Sequence, residues 1–160
     1  MQPAYRSTGK GDVIIILTGS DGKPYLHAQS GLGEEFQAMK NALDDGELPF
    51  CCSVSGYKGP ISLRNNESKE CAGCPLHGKL NHGQSIILPL IYEDTNYGFF
   101  ITSHDTDVSI LEEEAGLLEE IAGDIAFGLY SIEQERRVKE SEEKFAVAFH
   151  ASPDAVSIAR

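Results

Sequence analysis

The sequence has no basic stripe, no apolar run of bilayer length and no export signal, and each absence narrows what the chain can do. Acidic residues outnumber basic ones 25 to 13, giving a formal net charge of -12, and they are spread along the chain. Such a surface repels phosphate backbones and anionic lipid heads, so neither nucleic acid nor a membrane surface is expected as a direct partner. The longest apolar runs, Val13 to Leu17 and Ile86 to Ile91, have the length of strands and fall far short of the roughly 20 residues that span a bilayer. Met1 to Gly11 carries charge without an apolar stretch behind it, which argues against a secretory signal. A cytoplasmic location is the expectation, any transmembrane segment belonging to another part of a longer parent protein. Long-period repeats and low-complexity tracts are absent too.

The usual marks of catalysis are equally scarce. His27, His104 and His150 lie in separate segments with no nucleophile pattern around them, and a triad is recognised by geometry rather than by scattered residues. Gly31-Leu32-Gly33 lacks the further glycine of a dinucleotide fingerprint, and no Walker sequence occurs. The acidic run Glu112 to Glu114 is explained by compensation of a helix dipole on a solvated face. The chain is therefore not expected to be an enzyme in its own right.

What is present is an ordinary folding composition, 41% hydrophobic and 24% charged over 160 residues. That is enough for one domain with a core, plus at most a fragment of a second. Val13 to Leu17 is a β-branched run closed by Gly19-Ser20-Asp21-Gly22, and Pro24 to Ala28 resumes it; the pattern predicts a hairpin whose first strand is covered on both faces. Phe36, Met39, Ala42 and Leu43 fall at helical spacing and Asp44-Asp45-Gly46 ends that segment. The stretch from Leu48 to Gly83 is long and irregular, with a weak strand near Ile61 to Leu63, and loops of that size tend to be functional.

Ser85 to Tyr92 and Tyr97 to Ser103 then predict a second hairpin across a polar turn. Pro89 removes a ladder donor, so a bulge or an edge is expected there. From an N-cap at Ser109 a long helix is expected, with Leu111, Leu118, Ile121, Ala122, Ile125, Leu129 and Ile132 on one stripe. Running from about Ile110 to about Arg137, it would measure roughly 40 Å, more than a small domain needs for its own cover. A further short helix over Glu142 to Phe149 is stopped by Ser152-Pro153-Asp154 before a strand-like Ala155 to Ile158.

The order of these elements, with the apolar strand Ile86-Ile87-Leu88-Pro89-Leu90-Ile91, the polar turn and the strand Tyr97-Gly98-Phe99-Phe100, resembles a GAF domain over about residues 10 to 135. The helix Leu117 to Leu129 is similar to the one that closes such domains in bacterial and archaeal sensor histidine kinases. Glu140 to Phe145, followed by Phe149 and Ala151-Ser152-Pro153-Asp154-Ala155-Val156, resembles the opening of a PAS domain. These resemblances imply an α/β (α+β) fold: a central, mostly antiparallel sheet flanked by helices, with a long C-terminal coupling helix. They further imply a GAF-like sensory domain over 1–137, then a linker and the truncated start of a PAS domain over 138–160. The implied parent is a two-component sensor histidine kinase in which a small molecule, a metal or a redox change is sensed and relayed through the C-terminal helix. One departure from the family is the lack of helical periodicity over Met1 to Asp12, where GAF domains carry a helix.

Four cysteines cluster in the irregular stretch. Cys71-Ala72-Gly73-Cys74 is a C-x-x-C, a spacing that lets one turn present two sulfurs to a metal such as zinc. Cys51 or Cys52 would supply a third sulfur, and the other of the pair, His77 or His82 a fourth ligand. Adjacent cysteines on a strand point to opposite faces, so one of that pair can simply be core. Without metal, Cys71 and Cys74 are a candidate redox pair; buried thiols acting as small apolar residues are the plain alternative. Two other function classes stay open, a structural dimerisation module without ligand and a C-x-x-C thiol reductase of the GAF type. A homodimer through the C-terminal helix, parallel and spanning about Ile110 to about Lys139, is expected because pairing would bury its stripe.

Overall fold

The computed structural model describes residues 11–49, 52, 59–64, 69, 72–77, 83–105 and 112–152. The first hairpin forms where the β-branched run predicts it: β1 (Asp12–Thr18) and β2 (Pro24–Ser30) pair antiparallel with Ile16 opposite His27. Its loop is tied by Gly22 N–H donating to the Gly19 carbonyl at 2.9 Å and Lys23 N–H donating to Asp21 Oδ1 at 3.1 Å.

A short 3-10 turn, Gly33–Phe36, leads into α1 (Gln37–Asp44). Helix α1 stops because Gly46 takes φ of 84°, letting Gly46 N–H reach the Leu43 carbonyl at 3.0 Å and Glu47 N–H the Ala42 carbonyl at 2.8 Å. This is a Schellman closure, which satisfies two carbonyls the helix end would otherwise orphan.

The weak strand is real as β3 (Ile61–Arg64), and the second hairpin comprises β4 (Gly83–Tyr92) and β5 (Thr95–Asp105). Together they build a five-stranded sheet in the order β2-β1-β5-β4-β3, in which every neighbouring pair is antiparallel. β1 is an interior strand, as its apolar run predicts.

The expected irregularity at Pro89 is present, but the extra residue is carried by the other strand. Pro89 faces Phe99 and Ile91 faces Asn96, so Leu90 alone spans the interval that Tyr97 and Gly98 share on β5. The bulge sits in β5, at a glycine with φ of 142°.

Strand alternation divides the buried side chains between two faces. Ile14, Ile16, Ile87, Phe99 and Ile101 form one face and pack with Phe36, Met39 and Leu43 of the short helical segment. On the other face Leu17, Ile86, Leu88, Leu90 and Phe100 are buried.

Helix α2 runs unbroken over Glu112–Ala151. The two helices expected before and after residue 140 are one, since Gln134 to Lys144 holds no helix breaker. Ser109, the expected N-cap, and Ala155 to Ile158, the expected strand, lie outside the described residues. Among the described residues α2 buries Ala122, a member of the expected stripe, and Ala126; Leu118, Ile125 and Leu129 of the stripe are half-buried, and Ile121 and Ile132 are exposed. Among the described residues no helix is long and apolar enough to cross a membrane. The chain divides into two compact units, Met1–Ala126 and Phe127–Arg160.

Candidate functional site

The cysteine-bearing segment is built onto the same face as α1. Cys52 is 3% exposed and belongs to the cluster of Ile14, Phe36, Met39 and Ile87; its N–H donates to the Pro49 carbonyl at 2.8 Å. Cys74 is half-buried and packs against that cluster. Two tight turns frame it: Ala72 N–H donates to the Lys69 carbonyl at 3.2 Å, and His77 N–H to the Cys74 carbonyl at 2.9 Å.

Leu76 anchors the second turn. It is 2% exposed and sits in the core cluster, so one buried leucine fixes a segment otherwise made of small and polar residues. The sequence does carry this signal, a lone large apolar residue in Cys74-Pro75-Leu76-His77, although it is not the residue type that chemistry draws attention to.

The expected site residues thus divide three ways. Cys52 and Cys74 come together on one cluster. His77 rides on the same turn as Cys74 and is exposed. Cys51, Cys71 and His82 lie outside the described residues. Among the described residues no group of three or more His, Cys, Asp or Glu side chains is placed to hold a metal ion.

Beside this segment, His27 joins β2 to α1. Its Nε2–H donates to Asp44 Oδ1 at 3.0 Å, and its ring meets Phe36 edge-on at 5.8 Å between centroids. The contact closes the corner between hairpin and helix, a structural role for a histidine that has no nucleophile pattern around it.

On the opposite face a hollow of about 150 Å³ is lined by Gly59, Pro60, Leu88, Pro89, Glu119 and Ala122, among others. That is below the roughly 300 Å³ at which ligand clefts begin, and it marks where α2 approaches β4 through Ala122 and Gly123.

An all-antiparallel sheet in this order, with a short helix and an irregular segment on one face and a long C-terminal helix, is a GAF-like fold. Among solved structures, the chain is similar to a domain described as that of a two-component sensor histidine kinase from Sinorhizobium meliloti. The identity is 23% over 80% of this chain and 83% of that one, with a TM-score of 0.58. It is also similar to the GAF domain of the cyanobacteriochrome TePixJ (17% identity, 76% and 79% covered, TM-score 0.56). A third likeness is to the photoproduct state of GAF3 from Slr1393 of Synechocystis (12% identity, 79% and 86% covered, TM-score 0.54). No family model and no curated protein matches the chain.

Proposed function

We propose that this chain is the cytoplasmic sensory input domain of a signal-transduction protein, a two-component histidine kinase being the parent, and that it is not itself an enzyme. The observation that carries this reading is α2. It buries Ala122 and Ala126 within the first unit and continues as the same helix to Ala151. A helix that begins in a domain's core and runs about 25 residues beyond it, near 40 Å, is a lever rather than a cover. The fold likeness to a sensor-kinase domain supports the same assignment.

In this reading 1–137 is the sensory domain and 138–160 the linker and opening of a PAS domain, reached through α2. Two copies pair in parallel along α2, which leaves Ile121, Ile132 and Val138 exposed in the single chain. The input is taken by the cysteine-bearing segment: Cys71 and Cys74, with Cys51 or Cys52 and His77, hold a metal such as zinc. Alternatively Cys71 and Cys74 each give up one hydrogen to hydrogen peroxide, which is reduced to two waters as the disulfide forms. The anchoring of the Cys74 turn by Leu76 supports transmission, because a change at Cys74 bears directly on the core cluster.

Native mass spectrometry joined to elemental analysis, on protein purified without oxygen and then treated with peroxide, tests this function. The expected result is a dimer carrying metal, or one that loses two hydrogens per chain on oxidation. A monomer without metal, whose melting neither chelator nor peroxide moves, would leave the fold without the proposed function.

A further inference from the structure

The two edges of the sheet are treated differently. Proteins protect edge strands from pairing with other chains by making them short or placing charge on them. The β3 edge follows that rule, with four residues and Arg64 in its sequence. The β2 edge is blunted only at its first residue, Pro24, where its register with β1 also shifts. It has seven residues, Pro24-Tyr25-Leu26-His27-Ala28-Gln29-Ser30, with no Lys, Arg, Asp or Glu among them, and among the described residues it pairs with β1 alone. Tyr25 is 66% and Leu26 49% exposed.

We infer that β2 is a docking edge for β2 of a second copy of this chain, joined antiparallel so that the sheet continues across a two-fold axis. Charge selects this occupant. Two chains of net charge -12 repel wherever acidic surface meets acidic surface, and β2 is a strand-length surface with no acidic side chain of its own, Asp44 of α1 reaching it only at His27. The strand is also self-complementary, as an isologous contact requires. In the register centred on His27, Leu26 faces the partner's Ala28 and Tyr25 faces the partner's Gln29. No β2 position then has a Lys, Arg, Asp or Glu opposite it. Leu26 and Ala28 lie on the face shared with Leu17 and Ile15, their neighbours on β1, so pairing extends an apolar strip already half-built in the single chain. Backbone bonds give such a contact its strength and the alternate side chains its register. The inference is independent of pairing along α2.

Hydrogen exchange on the intact chain at low and high micromolar concentration tests it. Exchange in the segment Pro24 to Ser30 should slow as concentration rises, in step with a rise in sedimentation coefficient. Ala28→Lys, at an exposed position, should abolish that concentration-dependent slowing while the far-ultraviolet spectrum is retained. Ile132→Glu, on the exposed part of α2, should leave the slowing at β2 intact, which separates this contact from a helical one. Concentration-independent exchange at β2, whether the protein is monomeric or associates elsewhere, overturns the inference. That measurement on the unaltered chain stands even if a variant fails to fold.

Discussion

Gly98 on β5 lies so close to Ile16 on β1 that a β-carbon there would overlap the Ile16 carbonyl oxygen and stand 2.8 Å from the Leu17 Cα. The contact occurs at the β5 bulge, where φ at Gly98 is 142° and Asn96 Oδ1 accepts the Gly98 N–H at 2.8 Å. Gly98→Ala must therefore relieve backbone strain and overlap together, each about 1–3 kcal/mol. Urea unfolding should show a loss of about 2–6 kcal/mol. A loss below about 0.5 kcal/mol, the range of neutral surface changes, would mean that the strands do not approach in this way.

The neighbouring hairpin turn makes the opposite case. Glu93 has φ of 53°, the only positive value among the described residues other than glycine, at the first central position of the two-residue turn between Tyr92 and Thr95. An L side chain held there costs about 1–2 kcal/mol, and glycine's greater freedom in the unfolded chain offsets part of any relief. Glu93→Gly is expected to stabilise the domain by about 0.5–1 kcal/mol. Destabilisation in the same urea titration would show that Glu93 makes a compensating contact.

The hairpins, the short helix and the long one were legible because their signals are local: β-branched runs, 3.6-residue spacing, and turn residues between them. The bulge was legible only by half. Pro89 signals a ladder defect, but which strand takes the extra residue depends on the backbone of β1 pressing on Gly98, a long-range relation that no local pattern holds. The stripe on α2 was legible in part: Ala122 is buried and Leu118, Ile125 and Leu129 are half-buried as their spacing implies, whereas Ile121 and Ile132 are exposed and Ala126, outside the stripe, is fully buried. In the candidate site the cysteines were conspicuous, but the residue that fixes Cys74 is Leu76.

The alanine contact of α2 gives a prediction of its own. Ala126 is fully buried, and adding three carbons there must push the helix or its neighbours aside. Ala126→Leu should cost about 1–3 kcal/mol, while Ile132→Ala, at a 65% exposed position, should stay within about 0.5 kcal/mol of the parent. Equal effects in thermal unfolding would place the packing seam elsewhere on the helix.

At the β2–α1 corner, Asp44 is more than half exposed and His27 mostly covered. Solvent screens such a pair, so Asp44→Asn should cost no more than about 0.5–1 kcal/mol. His27→Ala also loses the edge contact with Phe36 and should cost more, about 1–2 kcal/mol. A double-mutant cycle measures the part the two share, expected to be below about 1 kcal/mol. A coupling well above that would show that the pair is desolvated in solution.

The cysteines separate by the same logic of burial. Cys52 is 3% exposed among Ile14, Met39 and Ile87, and a hydroxyl in its place brings a stronger polar group into an apolar cluster, at about 1–3 kcal/mol. Cys52→Ser should therefore lower the melting temperature by several degrees whether or not the segment binds metal. Cys71→Ser and Cys74→Ser test function instead of packing. Cys74 is half-buried, so its own change should cost less stability in metal-free protein, yet the pair should remove bound metal or the peroxide-induced disulfide altogether. If zinc is the ligand, acid should weaken its binding as protons compete for the thiolates, and chelation should bring the melting temperature of the parent down to that of the double variant. Metal content, thiol titration and melting all unchanged in Cys71→Ser/Cys74→Ser would reduce those cysteines to packing, and the input of the domain would have to be sought away from them.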